Sequence, residues 1–116
     1  MKELPLIPGG ATRVLDLAQE TRYAENGIVS RNVMSVANAR VVLFGFAEGQ
    51  ELTEHTSTQH ALVQVLSGEC EFKLGDTWHS LKAGAFLHMP PNLVHAVKAT
   101  KDFSMLLTLI RPGEGK

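Results

Sequence analysis

Short β-forming runs, separated at regular intervals by glycine and proline, constrain this chain more than any other feature of its sequence. From residue 28 onward, stretches rich in β-branched and aromatic residues alternate with turn residues. The stretches are IVSRNVMSV, ARVVLFGFA, HALVQVLSG, GECEFKLGDTWHSL, AFLHM, HAVKA and FSMLLTLIR. Short strands at even spacing favour an all-β sandwich or closed barrel over an α/β fold.

Turn residues support this division into strands. The Gly75-Asp76 pair fits the two-residue turn of a β-hairpin. Pro90 and Pro91 end the run AFLHM, because proline cannot donate a hydrogen bond to a β-ladder. Residues 1–27 are predicted to form an N-terminal arm, in which Val14 to Glu20 could be a short helix or an edge strand.

Length and charge limit the classes of function. The 116 residues suit a single domain, 1–116, with one core. A net charge of −1 without any basic run argues against nucleic acid and anionic membranes as partners. The longest apolar run, Val41 to Ala47, is too short to span a bilayer. MKELPLIPGG lacks the continuous apolar core of a secretion signal, so a cytoplasmic location is predicted.

The single cysteine is predicted to be structural. One cysteine cannot form an intrachain disulfide. In GECEFKL, Cys70 shares one face with Phe72 and Leu74, while the charged residues share the other. Cys70 is therefore expected to be a small buried hydrophobe, since no basic neighbour is available to activate its thiol.

Two segments of the chain resemble the two motifs of the cupin superfamily. The first, at about 49–68, is GQELTEHTSTQHALVQVLSGE, and the second, at about 84–95, lies in LKAGAFLHMPPNLVHAV. The resemblance covers roughly residues 28–111 and implies a double-stranded β-helix, or jelly-roll, barrel with a pocket in its mouth. The matching positions are Gly49, His55, Val65, Leu66, Gly68, Gly84, Pro90, Asn92 and His95.

The resemblance also implies positions for metal ligands. Many cupins bind one divalent metal through three histidines and one carboxylate or amide. Counting back from Gly68, the first histidine position falls on His55, but the second falls on Ser57 and the carboxylate position on Ala61. The histidine of the second motif falls on His95. Two of the four ligand positions are therefore matched.

His60 lies one residue before the gap at Ala61. On a regular strand His60 would point away from the pocket, whereas a bulge or a longer loop would turn it inward. The candidate ligands are therefore His55, His60 and His95, and the candidate metals are Fe, Mn, Ni and Zn.

Other polar residues near the motifs are predicted to line the pocket. These are Ser57, Gln59 and His88. His88 follows two apolar residues, so the core and a dimer interface are alternative positions for it. His79, in the arm of the predicted hairpin, is expected to be solvated.

Two classes of function follow from these residues. The first is a metal-dependent enzyme that acts on or oxidises a small molecule. The second is a metal-free barrel that binds or senses a small ligand, because two ligand positions are lost. Neither a nucleotide-binding glycine loop nor a nucleophile motif is present. The apolar segment FSMLLTLIR is compatible with a homodimer in either case.

Overall fold

The computed structural model describes residues 4–113, and its regular elements are almost all β-strands. The elements are helix α1 (Leu17–Glu20) and strands β1 (Ile28–Ser35), β2 (Ala39–Phe46), β3 (Glu51–His55), β4 (His60–Ser67), β5 (Glu69–Leu74), β6 (Thr77–Lys82), β7 (Phe86–Met89), β8 (His95–Ala99) and β9 (Phe103–Ile110).

The strands form two antiparallel sheets that face each other. One sheet has the order β1-β2-β9-β4-β7 and the other β3-β8-β5-β6. Apart from the consecutive pairs β1-β2 and β5-β6, neighbouring strands are distant in sequence, as in a jelly roll. The predicted all-β, jelly-roll fold class is confirmed. No helix in the described part of the chain is long and apolar enough to cross a membrane.

The core lies between the sheets and follows from strand alternation. On β4, Ala61, Val63 and Val65 are buried, while the residues between them point outward. Phe46 and Phe103 are fully buried, and their rings stack with centroids 4.7 Å apart. Burial of an aromatic or large aliphatic side chain stabilises the fold by about 1.5–3 kcal/mol.

Cys70 belongs to this core, as predicted from the alternation of its strand. The side chain is 1% exposed. Burial, with a smaller contribution from the Glu71 carboxylate, raises the pKa of the Cys70 thiol to about 12. The thiol is therefore protonated and unreactive near neutral pH.

Gly68 is required where β4 turns into β5. Its φ is +77°, a left-handed conformation that favours glycine. A Cβ at this position would lie only 2.0 Å from the carbonyl oxygen of Asp102. The glycine of the VLSG sequence is therefore needed both for the turn and for the close approach of the chain that leads into β9.

The N-terminal arm packs against the five-stranded sheet. The amides of Leu6 and Ile7 donate to backbone carbonyls of β1, at 2.9 and 2.7 Å. The segment for which helix and edge strand were both predicted forms the short helix α1, whose N-cap Asp16 accepts a hydrogen bond from the Ala18 amide. A Cβ at Gly45 would lie 2.1 Å from the carbonyl oxygen of Arg22, so the arm crosses β2 closely.

Candidate functional site

His55 and His95 meet on the sheet β3-β8-β5-β6, at neighbouring ends of two strands. They are directly opposite each other in the β3–β8 ladder. Their ring centroids are 4.2 Å apart and their planes form an angle of 61°. Both side chains line the same cavity between the sheets. The structure thus brings together the two histidines that match the cupin motifs.

A β-bulge on β3 places His55 in this position. Leu52 pairs with Val97 and His55 with His95, so three steps along β3 match two steps along β8. Without the extra residue, alternation from the partly buried Leu52 would turn Glu54 inward and His55 outward. Glu54 instead forms an ion pair with Lys73.

Backbone carbonyls fix the orientation and the tautomer of both rings. Nδ1 of His55 lies 2.7 Å from the carbonyl oxygen of Thr53, and Nδ1 of His95 lies 2.9 Å from that of Leu93. Because a carbonyl oxygen can only accept, each Nδ1 carries the hydrogen. The Nε2 atom of each neutral ring therefore has a free lone pair. Metal-binding histidines are usually oriented by such a second hydrogen bond.

The burial of His95 favours its neutral form. The residue is 7% exposed. Burial lowers the pKa of His95, the hydrogen bond to the Leu93 carbonyl partly opposes this effect, and the neighbouring His55 lowers the pKa further. A lowered pKa keeps the imidazole unprotonated, which is the state that binds a metal ion.

The cavity beside the two histidines is small and largely apolar. Its volume is about 50 Å³. Ligand pockets typically have volumes of about 300–1,000 Å³, so this cavity can hold an ion with a few waters but not a whole organic molecule. It is lined by Phe44, Leu52, His55, Val63, Phe72, Met89, His95, Val97, Met105 and Leu107.

His60, the third predicted ligand, does not join this pair. It is the first residue of β4, and the β4–β9 register is regular from His60 to Val65. His60 therefore points to the face opposite Ala61 and Val63. Its Nδ1 lies 2.9 Å from Nε2 of His88. The bulge that would turn His60 inward is absent from β4, and a bulge on β3 turns His55 inward instead.

The predicted pocket-lining residues also lie elsewhere. His88 is exposed and shares the outer face of β7 with Phe86, because Met89 occupies the inner face. Ser57 and Gln59 lie in the loop between β3 and β4, where the Ser57 hydroxyl accepts a hydrogen bond from the Gln59 amide. None of the three lines the cavity.

Ala61, at the position where the resemblance implies a carboxylate ligand, faces the barrel interior and is 3% exposed. Within residues 4–113, no three His, Cys, Asp or Glu side chains lie close enough to share a metal ion. His55 and His95 are therefore the two protein donors that this site can offer.

Two features of the site were not predicted from the sequence. The first is strand β3, in which Leu52 is the one apolar residue of ELTEH. The second is its bulge, for which the sequence contains no signal. The apolar lining of the cavity could have been found from alternation, since Val63, Phe72 and Val97 lie on the buried faces of their strands.

Comparison with known proteins places this architecture in a family. The fold is similar to that of a conserved protein of unknown function from Streptococcus pyogenes, with 29% identity and a TM-score of 0.82 over 97% of each chain. It is also similar to a cupin superfamily protein from Desulfitobacterium hafniense, with 25% identity and a TM-score of 0.83 over 96% of this chain and 100% of that one. An RmlC-like cupin from Desulfovibrio desulfuricans shares 30% identity, with a TM-score of 0.77, over 85% of this chain and 96% of that one.

A search of curated proteins finds no match to the sequence. Residues 42–111, which are more than half of the chain, match the family model described as "Cupin domain". The chain therefore belongs to the cupin family.

Proposed function

We propose that this cupin binds one divalent metal ion through Nε2 of His55 and Nε2 of His95, at the mouth of the barrel. The observation that supports this most directly is the pair of Nδ1–carbonyl hydrogen bonds, at 2.7 and 2.9 Å, which leaves both Nε2 lone pairs free. Fe, Mn, Ni and Zn are the candidate ions, because neutral imidazole suits the first-row transition metals.

The two-histidine donor set leaves several coordination positions for water or for a small substrate. A bound ion would supply Lewis acidity or a site for O₂. The side chain of His95 is buried, while that of His55 is exposed and borders the entrance of the cavity. Since the cavity is about 50 Å³, a substrate approaches from this entrance and not from within the barrel.

Metal uptake tests the proposal. Protein purified without a chelator is analysed for metal by plasma emission, then titrated with Fe²⁺, Mn²⁺, Ni²⁺ and Zn²⁺. We expect one pocket ion per chain in the wild type, with its affinity reduced at least about 100-fold in His55→Gln and His95→Gln, because each removes one of two protein ligands. His79→Gln, which alters an exposed histidine on β6, is the matched control. No metal uptake, or equal uptake by all variants, would contradict the proposal.

A second candidate function is metal-free binding of a small ligand. It is favoured by the absence of a third ligand in the part of the chain that the structure describes. Because the cavity is too small for a whole organic molecule, the ligand would bind at its entrance beside His55. The two Nε2 atoms would then accept hydrogen bonds, or bind a carboxylate when protonated. A thermal-shift screen with sugars, organic acids and aromatic acids tests this function. It is abandoned if metal ions alone stabilise the protein.

We further propose that the outer face of the five-stranded sheet forms a homodimer. On this face Leu106 and Ile110 of β9 and Leu62 of β4 are half-buried, and Phe86 of β7 is 61% exposed. Partly exposed apolar side chains grouped on one face are typical of interaction sites. Light scattering is expected to give twice the chain mass, and Leu106→Lys is expected to yield monomers. A monomeric wild type contradicts the dimer and leaves the metal proposal untouched.

A further inference from the structure

The histidines on the outside of the barrel form a pair of their own. His60 begins β4 and His88 lies on the adjacent β7, where it is paired with Leu62. The two rings are nearly parallel, at 20°, with centroids 5.2 Å apart. Nδ1 of His60 and Nε2 of His88 are 2.9 Å apart. We propose that this outer pair is a second transition-metal site, independent of the pocket, that takes a tetragonal ion such as Cu²⁺ or Ni²⁺.

The distance between the two nitrogens fits a shared ion. Imidazole nitrogens bind such ions at about 2.0–2.1 Å, so two of them at a right angle are about 2.9 Å apart, against about 3.3–3.4 Å at a tetrahedral angle. The hydrogen bond between the rings already holds the two nitrogens 2.9 Å apart, so an ion can bind without separating them further. A right angle is typical of the tetragonal nitrogen and oxygen sites that Cu²⁺ and Ni²⁺ prefer, and Cu²⁺ binds most strongly in the divalent series.

The hydrogen-bonding state of the rings leaves both facing nitrogens available. The rings of the inner histidines donate to carbonyls, whereas in residues 4–113 the one side-chain hydrogen bond of His60 and His88 is the bond between their rings. In that bond one nitrogen carries a hydrogen and the other a lone pair. The donating ring can change its tautomer and carry the hydrogen on its other nitrogen, because no carbonyl or carboxylate is bonded to that nitrogen. Both facing nitrogens then offer lone pairs, and an ion replaces the shared hydrogen without net loss of a proton.

The two strands hold the rings in place. His88 lies in the β4–β7 ladder, which is continuous from Ala61–Met89 to Gln64–Phe86, and His60 is paired with Ile110 of β9, so strand pairing sets both Cα positions. Ligands on neighbouring strands are better preorganised than ligands on loops. To direct its lone pair at an ion held at a right angle, each ring turns by about 45° from the line that joins the two nitrogens. In the single chain His88 is exposed and His60 half-buried, so water can complete the coordination there. Because the homodimer proposed above would cover this face, the site is tested in the Leu106→Lys monomer.

Copper titration of the full chain tests this second site. In the Leu106→Lys monomer the pocket pair is first disabled by His95→Gln, and Cu²⁺ binding is followed by calorimetry and by electron paramagnetic resonance; the further substitutions are added to this background. We expect this protein to bind one Cu²⁺ per chain, with hyperfine coupling to two nitrogens. Adding His88→Gln or His60→Gln should weaken binding at least about tenfold, since even the outer partners of a metal ligand are worth about 10–100-fold. Adding His79→Gln should leave affinity and spectrum unchanged.

Equal Cu²⁺ affinity in His95→Gln and in His95→Gln/His88→Gln overturns the second site, as does a two-nitrogen signal that survives loss of both outer histidines. Thermal unfolding shows whether each variant is folded. Cu²⁺ should raise the unfolding temperature of His95→Gln and not that of His95→Gln/His88→Gln. The pocket proposal is tested separately in His88→Gln, where the pocket pair is intact. Failure at one site is therefore distinguishable from failure at the other.

Discussion

Four of the five histidines of the chain form two pairs, and the pairs differ in what each ring is bonded to. The inner pair, His55 and His95, faces the cavity and is bonded to backbone carbonyls. The outer pair, His60 and His88, faces away from the core, and its rings are bonded to each other. Carbonyl bonds set one tautomer, whereas a mutual bond leaves the tautomer free.

The two pairs are joined by short loops. Residues 56–59 connect His55 to His60, and residues 89–94 connect His88 to His95. The loops contact each other, since the Asn92 amide donates to the Ser57 carbonyl at 2.7 Å. A bulge in β3 and the regular register of β4 from His60 to Val65 therefore decide that His55 faces inward and His60 outward. Backbone register, and not residue type, therefore divides the four histidines into an inner pair and an outer pair.

The largest expected effect comes from restoring a carboxylate inside the barrel. Ala61→Glu places a charge at a position that is 3% exposed. An uncompensated buried charge costs about 3–5 kcal/mol. We expect the metal-free variant to lose about that much unfolding free energy in urea titrations. If the pocket holds a metal, Mn²⁺ or Ni²⁺ should recover part of the loss, because the ion compensates the carboxylate.

The neighbouring residue provides the control. His60→Glu places the same carboxylate one residue earlier, on the outer face of β4, and should change the unfolding free energy by less than about 1 kcal/mol. Equal losses at the two positions would contradict the inside–outside division of β4. A loss in Ala61→Glu that no metal recovers would argue against an ion in the pocket.

Much of this arrangement could be predicted from the sequence. Alternation in HALVQV places Ala61 and Val63 inside and, for a regular strand, His60 outside, as the structure has it. The motif glycines and prolines indicate the turns. Strand β3 could not be predicted, because its exposed residues form a strand through pairing with β8 and not through a buried face. The inward turn of His55 depends on register with that partner strand, a non-local property that no local pattern encodes.

A smaller effect should distinguish the inner pair by its response to acid. The pKa of His95 is lowered from 6.5 by burial, so the unfolded chain binds more protons than the folded chain below about pH 6.5. Stability should therefore fall as the pH decreases from about 6.5 to the folded pKa, and this contribution should be constant below it. The slope is at most about 1.4 kcal/mol per pH unit.

Urea titrations of the wild type and His95→Gln between pH 7.5 and 5, with a chelator present, measure this contribution as the difference between the two slopes. The variant should lose less stability on acidification than the wild type. Identical slopes would show that His95 is solvated in the folded protein and would weaken the case for a buried metal ligand.

The smallest effect concerns the bond between the outer rings. His60→Gln removes a hydrogen bond whose net contribution is about 0.5–1.5 kcal/mol in general, and the exposure of His88 places this one near the lower limit. His88→Gln should cost about as much, and the double variant should cost little more than either single variant, because both remove the same bond. Metal-free unfolding titrations of the three variants measure this coupling. Additive losses would mean that each ring is held by its own strand and not by the other ring. The outer pair would then be two separate histidines that the sheet places close together. Their 2.9 Å spacing would be set by the strands and not by a hydrogen bond between the rings.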